Sequence, residues 1–429
     1  MARPVGPRAA LGRAGAALRT VRGPRSGTRR ADAADPERDD RSQPRWRSGN
    51  QVVLLRDGAA YFPALLQAIA DAREEIFLES YLYRPDAVGR QVSAALIWAA
   101  RRGVRVQLLL DGFGSRDLPA WLRRSLDRAG VRLLFYRPDH RLLAVNRGRL
   151  RRLHRKLAVV DGRLGFVGGI NIIDDVDGPG QVPRCDYALR VEGPLVQDLR
   201  LQAAGQWRAT CRGQFKRAWR HIPATGAMPP EAGAMSAALV VRDNFRHRRA
   251  IEAAYLRALD AAREEVLIAN AYFLPGRRFR HRLMAAAGRG VRVVLLLQGR
   301  VENRLEHHAT HALYRPLLQA GVAIYEYQPG FMHAKVAVID KLWLTVGSTN
   351  IDPFSLLAAR EANVLVRDAD LARELRDDLL RLVVQHSLAV RLEDIDGQVW
   401  WQRGLNWLAY QLVRGMLGLT GYGGKAYLE

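Results

Sequence analysis

One eight-residue pattern occurs twice in this 429-residue chain. Residues 154–161 read HRKLAVVD and residues 333–340 read HAKVAVID, so both are copies of H-x-K-x4-D. Seven residues past its aspartate, each copy reaches a pair of small residues followed by an asparagine, GGIN at 168–171 and GSTN at 347–350. Agreement at six polar or small positions indicates an internal duplication rather than chance.

The duplication extends well beyond this motif. Three further pairs of segments match in the same order at offsets of 187 to 191 positions: 72–76 with 262–266, 102–106 with 289–293, and 129–131 with 320–322. Solenoid repeats recur roughly every 20–50 residues, whereas these offsets have the length of whole domains. We therefore predict two homologous domains, at 49–221 and 237–395, joined by a nearly uncharged linker at 222–236.

The hydrophobic pattern within each copy alternates between two kinds of segment. Residues 61–73 carry apolar side chains at three- and four-residue spacing, which predicts an amphipathic helix. Residues 104–110 and 291–297 are short runs that are apolar at both parities, which is typical of strands buried on both faces. The pattern predicts an α/β fold in which helices cover both faces of a largely parallel sheet.

Charge narrows the class of partner. The formal net charge is +24, so we expect an anionic partner, either nucleic acid or an acidic lipid surface. Of the 67 basic residues 62 are arginine, a bias that codon composition also produces. The bias makes the motif lysines informative, because Lys156 and Lys335 are two of only five lysines. A compact ammonium and a guanidinium fork are not interchangeable at a phosphate.

Neither the cysteines nor the apolar segments indicate export or a membrane span. Cys185 and Cys211 provide no disulfide framework and no metal-ligand spacing, which favours a reduced cytoplasmic setting. No run reaches the roughly 18–20 apolar residues of a spanning helix, and residues 1–49 lack the apolar core of a signal peptide. Residues 1–48, rich in Arg, are predicted to be a disordered tail that is dispensable for chemistry.

The motif supplies groups that suit a phosphate. A histidine and a lysine two positions apart project from the same face of a strand, so each copy presents an imidazole beside an ammonium. Asp161 precedes Gly162 and is predicted to lie at a turn, so we interpret Asp161 and Asp340 as scaffold members of the catalytic motif. Two lysines beside two histidines would repel a cation, and we expect no metal and no other cofactor.

These motifs carry a resemblance to a known family. Two copies of H-x-K-x4-D-x6-G-(G/S)-x-N resemble the phospholipase D superfamily. The phrases LHRK at 153–156, GGIN at 168–171 and GSTNID at 347–352 are most similar to bacterial cardiolipin synthases without amino-terminal membrane spans. The resemblance covers about residues 49–420 and implies two duplicated α/β/α sandwich domains packed around one shared active site. One departure is Gly169, which replaces the hydroxyl residue found at Ser348.

The resemblance also implies a role for each polar residue of the site. His154 is expected to attack phosphorus and form a phosphohistidine, while His333 acts as general acid and then as general base. Family members orient each histidine with a carboxylate from a later strand, about thirty residues on, where Asp186 and Glu361 stand. The phosphate oxygens are expected to be held by the motif lysines and asparagines, Lys156, Lys335, Asn171 and Asn350.

The motifs do not identify the acceptor that receives the transferred phosphatidyl group. The resemblance implies cardiolipin synthesis, in which a phosphatidyl group passes between two phosphatidylglycerol molecules and glycerol is released. Water as the acceptor defines the alternative, a phospholipase D-type hydrolase or a nuclease. We expect an anionic phospholipid membrane as the partner, with no nucleic acid and no obligate protein partner. The expected location is peripheral, on the cytoplasmic face of the cytoplasmic membrane.

Two aromatic segments bear on this choice. In the carboxy-terminal segment 396–429, a helix is predicted over 400–419. One stripe of that helix is apolar and the other face is more polar, comprising Trp401, Leu405, Leu408, Leu412 and Met416 against Arg403, Asn406, Tyr410 and Arg414. The pattern fits a helix lying on a bilayer, or equally a helix docked on the domain core. The stretch 207–220 mixes aromatic and basic residues, which suits lipid headgroups or the phosphates of nucleic acid.

Overall fold

The computed structural model describes residues 43–138, 151–176, 182–223, 227–243, 247–352 and 359–419. Within these ranges the first copy contains, in chain order, β1 (Arg47–Arg56), α1 (Asp57–Asp71), β2 (Glu75–Ser80), α2 (Ala87–Arg101), β3 (Arg105–Asp111), α3 (Ala120–Arg128), β4 (Arg132–Tyr136), β5 (Lys156–Val160), β6 (Leu164–Gly168), β7 (Tyr187–Glu192) and α4 (Leu195–Gly213). A short 3-10 turn, Arg217–Arg220, follows α4.

The second copy repeats this order, with one extra helix between its third and fourth strands and further elements at its carboxyl end. Its elements are β8 (Met235–Arg242), α5 (Ala250–Ala261), β9 (Glu265–Asn270), α6 (Arg277–Gly288), β10 (Arg292–Gln298), α7 (Arg304–His311), α8 (Tyr314–Gln319), β11 (Ala323–Tyr327), β12 (Lys335–Ile339), β13 (Trp343–Gly347), β14 (Glu361–Arg367) and α9 (Ala369–His386). The extra helix is α7, and the elements added at the carboxyl end are β15 (Ser387–Val390), α10 (Leu392–Asp396) and α11 (Trp400–Leu419).

The strands of both copies join one sheet. Its order is β15-β11-β10-β9-β12-β13-β14-β8-β1-β7-β6-β5-β2-β3-β4, so the second copy mirrors the first about the β1–β8 pair. β1 and β8 pair antiparallel, with Arg47 opposite Ala237 and Asn50 opposite Met235. Antiparallel pairing of equivalent strands relates the two copies by an approximate twofold rotation.

The sheet is mixed, which corrects the prediction of a largely parallel one. In the first copy β2, β3 and β4 run parallel, whereas β5, β6, β7 and β1 pair antiparallel. The β5–β6 hairpin turn holds Asp161 and Gly162 at positive φ values of 51° and 61°, as tight hairpins require. A run that is apolar at both parities shows only that both faces are covered, so it does not distinguish the two strand directions.

Helices cover both faces of the sheet, as the apolar runs predict. In β5, Leu157 and Val159 pack in a cluster with α4 and α9, while Ala158 and Val160 pack with α1 and α2. The residues of β12 divide in the same way between the α4/α9 cluster and a cluster with α5 and α6. One core cluster therefore contains side chains of both copies, and the layers form the α/β/α sandwich that the resemblance implies.

The ends of the first copy differ from prediction. Residues 1–42 lie outside the described residues, but the rest of the predicted tail is ordered. Trp46 packs against a core cluster, and Arg47 begins β1 and forms an ion pair with Asp198 at 2.8 Å. β8 begins at Met235, inside the predicted linker. Apolar contact and ion pairing thus order residues that composition alone assigned to a tail.

Helix α11 docks on the domain core, which is one of the two alternatives that its sequence left open. Asn406, Ala409 and Val413 are buried where α11 packs on α7, and Tyr410 joins the same core cluster. The face predicted to be polar is therefore the docked face, and Met416, predicted on the apolar stripe, is partly buried against that core. The bulky residues point outward and are 41–79% exposed: Trp400, Trp401, Leu405, Trp407, Leu408 and Leu412. None of the described helices is long and apolar enough to cross a bilayer.

Candidate active site

The two motifs begin at one edge of the sheet, where the parallel strands end. β5 and β12 run antiparallel to their neighbours β2 and β9. Lys335, the first residue of β12, pairs with Asn270, the last residue of β9, and the first copy has the same register, with Leu157 opposite Glu79. His154 and His333 precede their strands by two residues. Both motifs therefore present histidine and lysine at the carboxyl edge of the parallel strands.

Each motif histidine bonds to a carboxylate of the other copy. His154 Nδ1 lies 3.0 and 3.1 Å from the two carboxylate oxygens of Glu361, and His333 Nδ1 lies 2.6 Å from Asp186 Oδ2. The spacing rule identifies the carboxylates but suggests that each serves the histidine of its own copy, and the structure exchanges them. Because each half of the site borrows a carboxylate from the other, the two motifs form one site.

Backbone contacts cross between the copies at the same points. The His154 N–H donates to the carbonyl of Arg360 at 2.9 Å, and the His333 N–H donates to the carbonyl of Cys185 at 2.8 Å. Arg360 and Cys185 directly precede the two carboxylate residues, and short parallel bridges join these segments to the motif strands of the opposite copy. One dipeptide of the opposite copy therefore holds each histidine by its main chain and by its ring.

The two motif lysines are buried beside the histidines. Lys156 Nζ donates to the carbonyl of His154 at 2.8 Å, and Lys335 Nζ donates to the carbonyl of His333. Lys156 and Lys335 are only 3% and 0% exposed. An ammonium carries three N–H donors, so one bond to a carbonyl leaves each lysine donors for phosphate oxygens.

The one departure between the two copies has a steric cause. Ser348 Oγ donates to Glu361, so the hydroxyl of the second copy helps to hold the carboxylate that serves His154. A Cβ at Gly169 would lie 2.1 Å from Asp186 Oδ1, because this carboxylate occupies the space that a side chain would need. A serine at position 169 would displace Asp186, so the pairs Gly169–Asp186 and Ser348–Glu361 are two packing solutions for one role.

The motif asparagines lie at the same edge as the histidines. Asn171 and Asn350 each follow the second strand of a motif hairpin, and Gly168 at the end of β6 lies opposite Lys156. Both asparagines are 5% exposed, and Asn171 Oδ1 accepts from the N–H of Leu82 at 3.1 Å. Both asparagines therefore lie buried at the strand ends that carry the motif lysines.

Asp161 and Asp340 lie at the other end of the motif strands. The carboxylate of Asp161 accepts from the N–H groups of residues 73–75 at 2.8–2.9 Å. Asp340 accepts from the N–H groups of residues 263–265 at 2.8–3.0 Å. These aspartates tie the motif hairpin to the start of the neighbouring parallel strand. They therefore do not belong with the groups that contact phosphate, although they are part of the motif.

Comparison with known proteins points to the same family as the motifs. A sequence profile described as "Cardiolipin synthase, PLD-like domain" matches residues 65–175 and 255–383. Cardiolipin synthase B of Escherichia coli K12 is 40% identical over 380 residues, which cover 88% of this chain and 91% of that protein. The chain belongs to the cardiolipin synthase family of phospholipase D-like proteins.

A further relative and two solved structures also resemble this chain. The cardiolipin synthase of Halalkalibacterium halodurans is 29% identical over 82% of this chain and 69% of its own length. A phosphatidylserine synthase from Haemophilus influenzae Rd KW20 superposes with a TM-score of 0.67 at 12% identity, covering 91% of this chain and 99% of that one. A polyphosphate kinase from Porphyromonas gingivalis gives 0.54 at 14% identity, over 86% and 53%. At such identities the likeness concerns the fold alone.

Burial governs the ionisation of the site in this phospholipase D-like protein. It lowers the pKa of Lys156 to about 7, against the opposing pull of Glu361. It also lowers the pKa of His154, and it takes the pKa of His333 well below the usual range with the help of the two lysines. Burial raises the pKa of Asp186 to about 6. Near neutral pH each imidazole is therefore neutral, with Nδ1–H donated to a carboxylate and Nε2 left for chemistry.

Three residues that contact this phospholipase D-like site or its neighbours are not marked by any sequence motif. The ring of Tyr81 packs edge-on against the ring of His154, with 4.9 Å between centroids. Arg155, the residue after His154, forms a buried ion pair with Glu79 through two hydrogen bonds of 2.8 Å. A charged residue inside the apolar strand β2 was a signal for this pair, since a buried carboxylate requires a partner. No pattern in the sequence singles out Tyr81.

Proposed function

We propose that this chain is a cardiolipin synthase that transfers the phosphatidyl group of one phosphatidylglycerol to a hydroxyl of a second, releasing glycerol. The observation that carries the proposal is the crossed pair of contacts from His154 to Glu361 and from His333 to Asp186. Two histidines oriented through Nδ1, beside two buried lysines, provide the groups needed to exchange one phosphate ester for another. The curated relatives named cardiolipin synthase, at up to 40% identity, support this choice of reaction.

In the first step, His154 acts as the nucleophile. Its Nε2 lone pair forms a bond to phosphorus while the bond between phosphorus and the glycerol oxygen breaks, and the leaving oxygen takes a proton from His333. The paired contact with Glu361, itself bonded to Ser348, suits a ring that must hold one orientation during attack. The anionic phosphate favours protonation of His333, because a nearby negative charge stabilises the imidazolium.

In the second step, His333 acts as the base. It removes a proton from a hydroxyl of the incoming phosphatidylglycerol, whose oxygen forms a bond to phosphorus as the bond to His154 breaks. Cardiolipin leaves, and both histidines return to their starting protonation states. Water entering at this point instead of lipid would give phosphatidic acid, so the acceptor alone separates synthesis from hydrolysis.

The lysines and asparagines stabilise the negative charge on phosphorus. Lys156 and Lys335 approach from opposite copies and retain N–H donors for the non-bridging oxygens. Preformed donors in a buried site stabilise a trigonal-bipyramidal transition state without reorganisation. Asn171 and Asn350 are proposed to add amide donors from the same edge. This set of cations takes the place that a divalent ion has in other phosphoryl-transfer sites.

An anionic bilayer is the proposed partner, with α11 as its docking element. The helix is held to the core by Asn406, Ala409 and Val413, and it presents Trp400, Trp401, Leu405 and Leu408 to the outside. Tryptophan and leucine on one face of a helix favour insertion at the boundary between headgroups and acyl chains. We propose a peripheral location at the cytoplasmic face of the cytoplasmic membrane, in line with the free, buried cysteines.

Purified enzyme incubated with phosphatidylglycerol vesicles tests the reaction. Mass spectrometry of the lipids and an assay for free glycerol should show cardiolipin and glycerol in equal amounts. Phosphatidic acid formed without cardiolipin would instead establish a hydrolase. Cleavage of single-stranded or duplex DNA in a parallel reaction, with inert lipid, would establish a nuclease of the same superfamily.

A further inference from the structure

Helix α4 ends in a turn whose left-handed position is occupied by phenylalanine. The N–H of Phe215 donates to the carbonyl of Arg212 at 3.3 Å, and the N–H of Lys216 donates to the carbonyl of Cys211 at 3.0 Å. These are the two bonds of the helix-ending motif that normally places glycine in the left-handed conformation. Phe215 has a φ of 56°, so a bulky residue adopts a backbone conformation that its Cβ disfavours.

The side chain of Phe215 makes no extensive packing contacts that would offset this backbone strain. It is 86% exposed, the highest fraction among the large apolar side chains of the described residues. A glycine or an asparagine would satisfy the same turn without strain and without exposing an aromatic ring to water. Strain that the fold does not need is typical of a residue kept for an interaction.

The surroundings of Phe215 are uniformly basic. Arg212, Lys216, Arg217 and Arg220 are exposed around it, and no acidic residue occurs between Asp198 and Glu231. An exposed ring surrounded by cations is complementary to an anionic surface with an apolar interior. We call residues 212–220 the Phe215 turn.

The Phe215 turn lies at the edge of the sheet that carries the active site. The side chain of Gln214, the residue before Phe215, donates to the carbonyl of Phe135, near the carboxyl end of β4. The next residue, Tyr136, accepts from Arg360 at 3.1 Å, and the carbonyl of Arg360 holds His154. Helix α7, on which α11 packs, begins beyond the carboxyl end of β10 at this same edge.

We propose that the Phe215 turn is a second membrane contact, in which Phe215 enters the headgroup region of an anionic bilayer while the surrounding cations meet lipid phosphates. The proposal rests on the proposed lipid function, and it adds a contact in the first copy to the one made by α11 in the second. Two separated contacts at one edge determine the tilt of the protein, so that the edge carrying the histidines faces the lipids.

The aromatic residues of this region favour a bilayer over a nucleic acid strand. Proteins that bind single strands without sequence preference stack successive bases on several exposed aromatic rings. Trp207 is buried, and Trp219 stacks on it with 6.4 Å between ring centroids. Lys216 Nζ lies 5.0 Å from the centroid of the Trp219 ring. Phe215 is therefore the one ring of the turn that is free to insert.

The test uses the full-length chain with Phe215→Asn, and with Lys216→Ser plus Arg217→Ser. Trp98→Ser is the matched control, because Trp98 is 63% exposed near the end of α2, away from the active-site edge. Binding is measured by flotation with vesicles of phosphatidylglycerol and phosphatidylethanolamine, and with vesicles of phosphatidylcholine alone. Thermal unfolding and turnover of monomeric short-chain phosphatidylglycerol are measured in parallel.

We expect Phe215→Asn to weaken binding to the anionic vesicles by roughly tenfold, the order expected for one buried aromatic side chain. Its Tm should equal or exceed that of the wild type, because asparagine tolerates the left-handed position. The double variant should lose binding to anionic vesicles only. Turnover of short-chain substrate should persist, and its absence in the wild type would count against the proposed function rather than the turn.

Three outcomes would overturn the proposal. Unchanged vesicle binding in both variants would remove the turn from the membrane contact. A fall in Tm that parallels the loss of binding would make Phe215 a packing residue. In a parallel assay of binding to single-stranded DNA, a loss of DNA binding in these variants with vesicle binding retained would assign the turn to nucleic acid.

Discussion

Glu361 and His154 are separated by 207 positions, yet both oxygens of the carboxylate lie within 3.1 Å of the imidazole Nδ1. Asp186 contacts His333 Nδ1 from the opposite copy through one oxygen, at 2.6 Å. A histidine that donates Nδ1–H to a buried carboxylate keeps one tautomer and one ring orientation. The crossed contacts therefore make each copy dependent on the other for its chemistry.

We expect Glu361→Gln and Asp186→Asn to lower kcat by roughly 10²–10⁴-fold, because a neutral amide neither fixes the tautomer nor stabilises the imidazolium. The fold should persist, since each change keeps the shape of the side chain. Glu192→Gln is the matched control, because that carboxylate is partly exposed and pairs with Arg190. Near-normal kcat in both site variants would contradict the proposed role of the crossed contacts.

Substitution of His154 and of His333 should affect turnover in different ways. His154→Ala should abolish turnover, whereas His333→Ala should lose roughly 10²–10⁴-fold, the usual contribution of a general acid. With phosphatidyl-p-nitrophenol, whose leaving group needs no proton, His333→Ala should still release p-nitrophenol and accumulate acid-labile phosphoenzyme. His154→Ala should form none, and exposed His281→Ala should behave as wild type. Phosphoenzyme in His154→Ala would reverse the two assignments.

Replacing the motif lysines with arginine, which keeps the positive charge, should not preserve activity. Lys156→Arg and Lys335→Arg are expected to lose roughly 10²-fold or more in kcat, because the wider guanidinium does not fit a buried position shaped for a point donor. Lys341→Arg is the control, since Lys341 is half exposed and pairs with Glu264. Wild-type rates in the two site variants would show that positive charge alone suffices.

The pKa shifts predict a narrow pH optimum for kcat/KM on short-chain phosphatidylglycerol. As pH falls through the pKa of Asp186, about 6, the carboxylate takes up a proton and no longer orients His333. As pH rises through the pKa of Lys156, about 7, the ammonium loses the charge that binds phosphate. In kcat the alkaline limb should move to higher pH, because bound phosphate stabilises the ammonium. A flat profile from pH 5 to 9 would refute this account.

The outer face of α11 should control access to lipid rather than chemistry. Replacing Trp401, Leu405, Leu408 and Leu412 by Ser is expected to weaken vesicle binding and bilayer turnover by at least about tenfold. Tm and turnover of monomeric substrate should change little, because these side chains are already exposed. Trp98→Ser again serves as the control. A joint fall in Tm and in both activities would make the stripe part of the core.

Much of this protein follows from the repeated pattern in its chain. Matching strings at 154–161 and 333–340 predict two homologous copies. Because each lysine follows its histidine by two positions, the two side chains are predicted to lie on the same face of a strand. The small-residue turn after Asp161 predicts a hairpin, and the apolar runs predict strands covered on both faces. These features are local, because they depend on the order of neighbouring residues and on the period of strand or helix.

Three features could not be predicted from local sequence patterns: the direction of the strands, the crossed carboxylates and the docked face of α11. Each depends on which distant segments pack together: β1 with β8, Arg360 with the segment before β5, and α7 with α11. Sequence spacing singles out Asp186 and Glu361, but the approximate twofold arrangement of the copies places each beside the histidine of the opposite copy. The same packing turns small and polar residues of α11 inward and leaves its tryptophans outside, because the fit to α7, rather than hydrophobicity alone, selects the buried face.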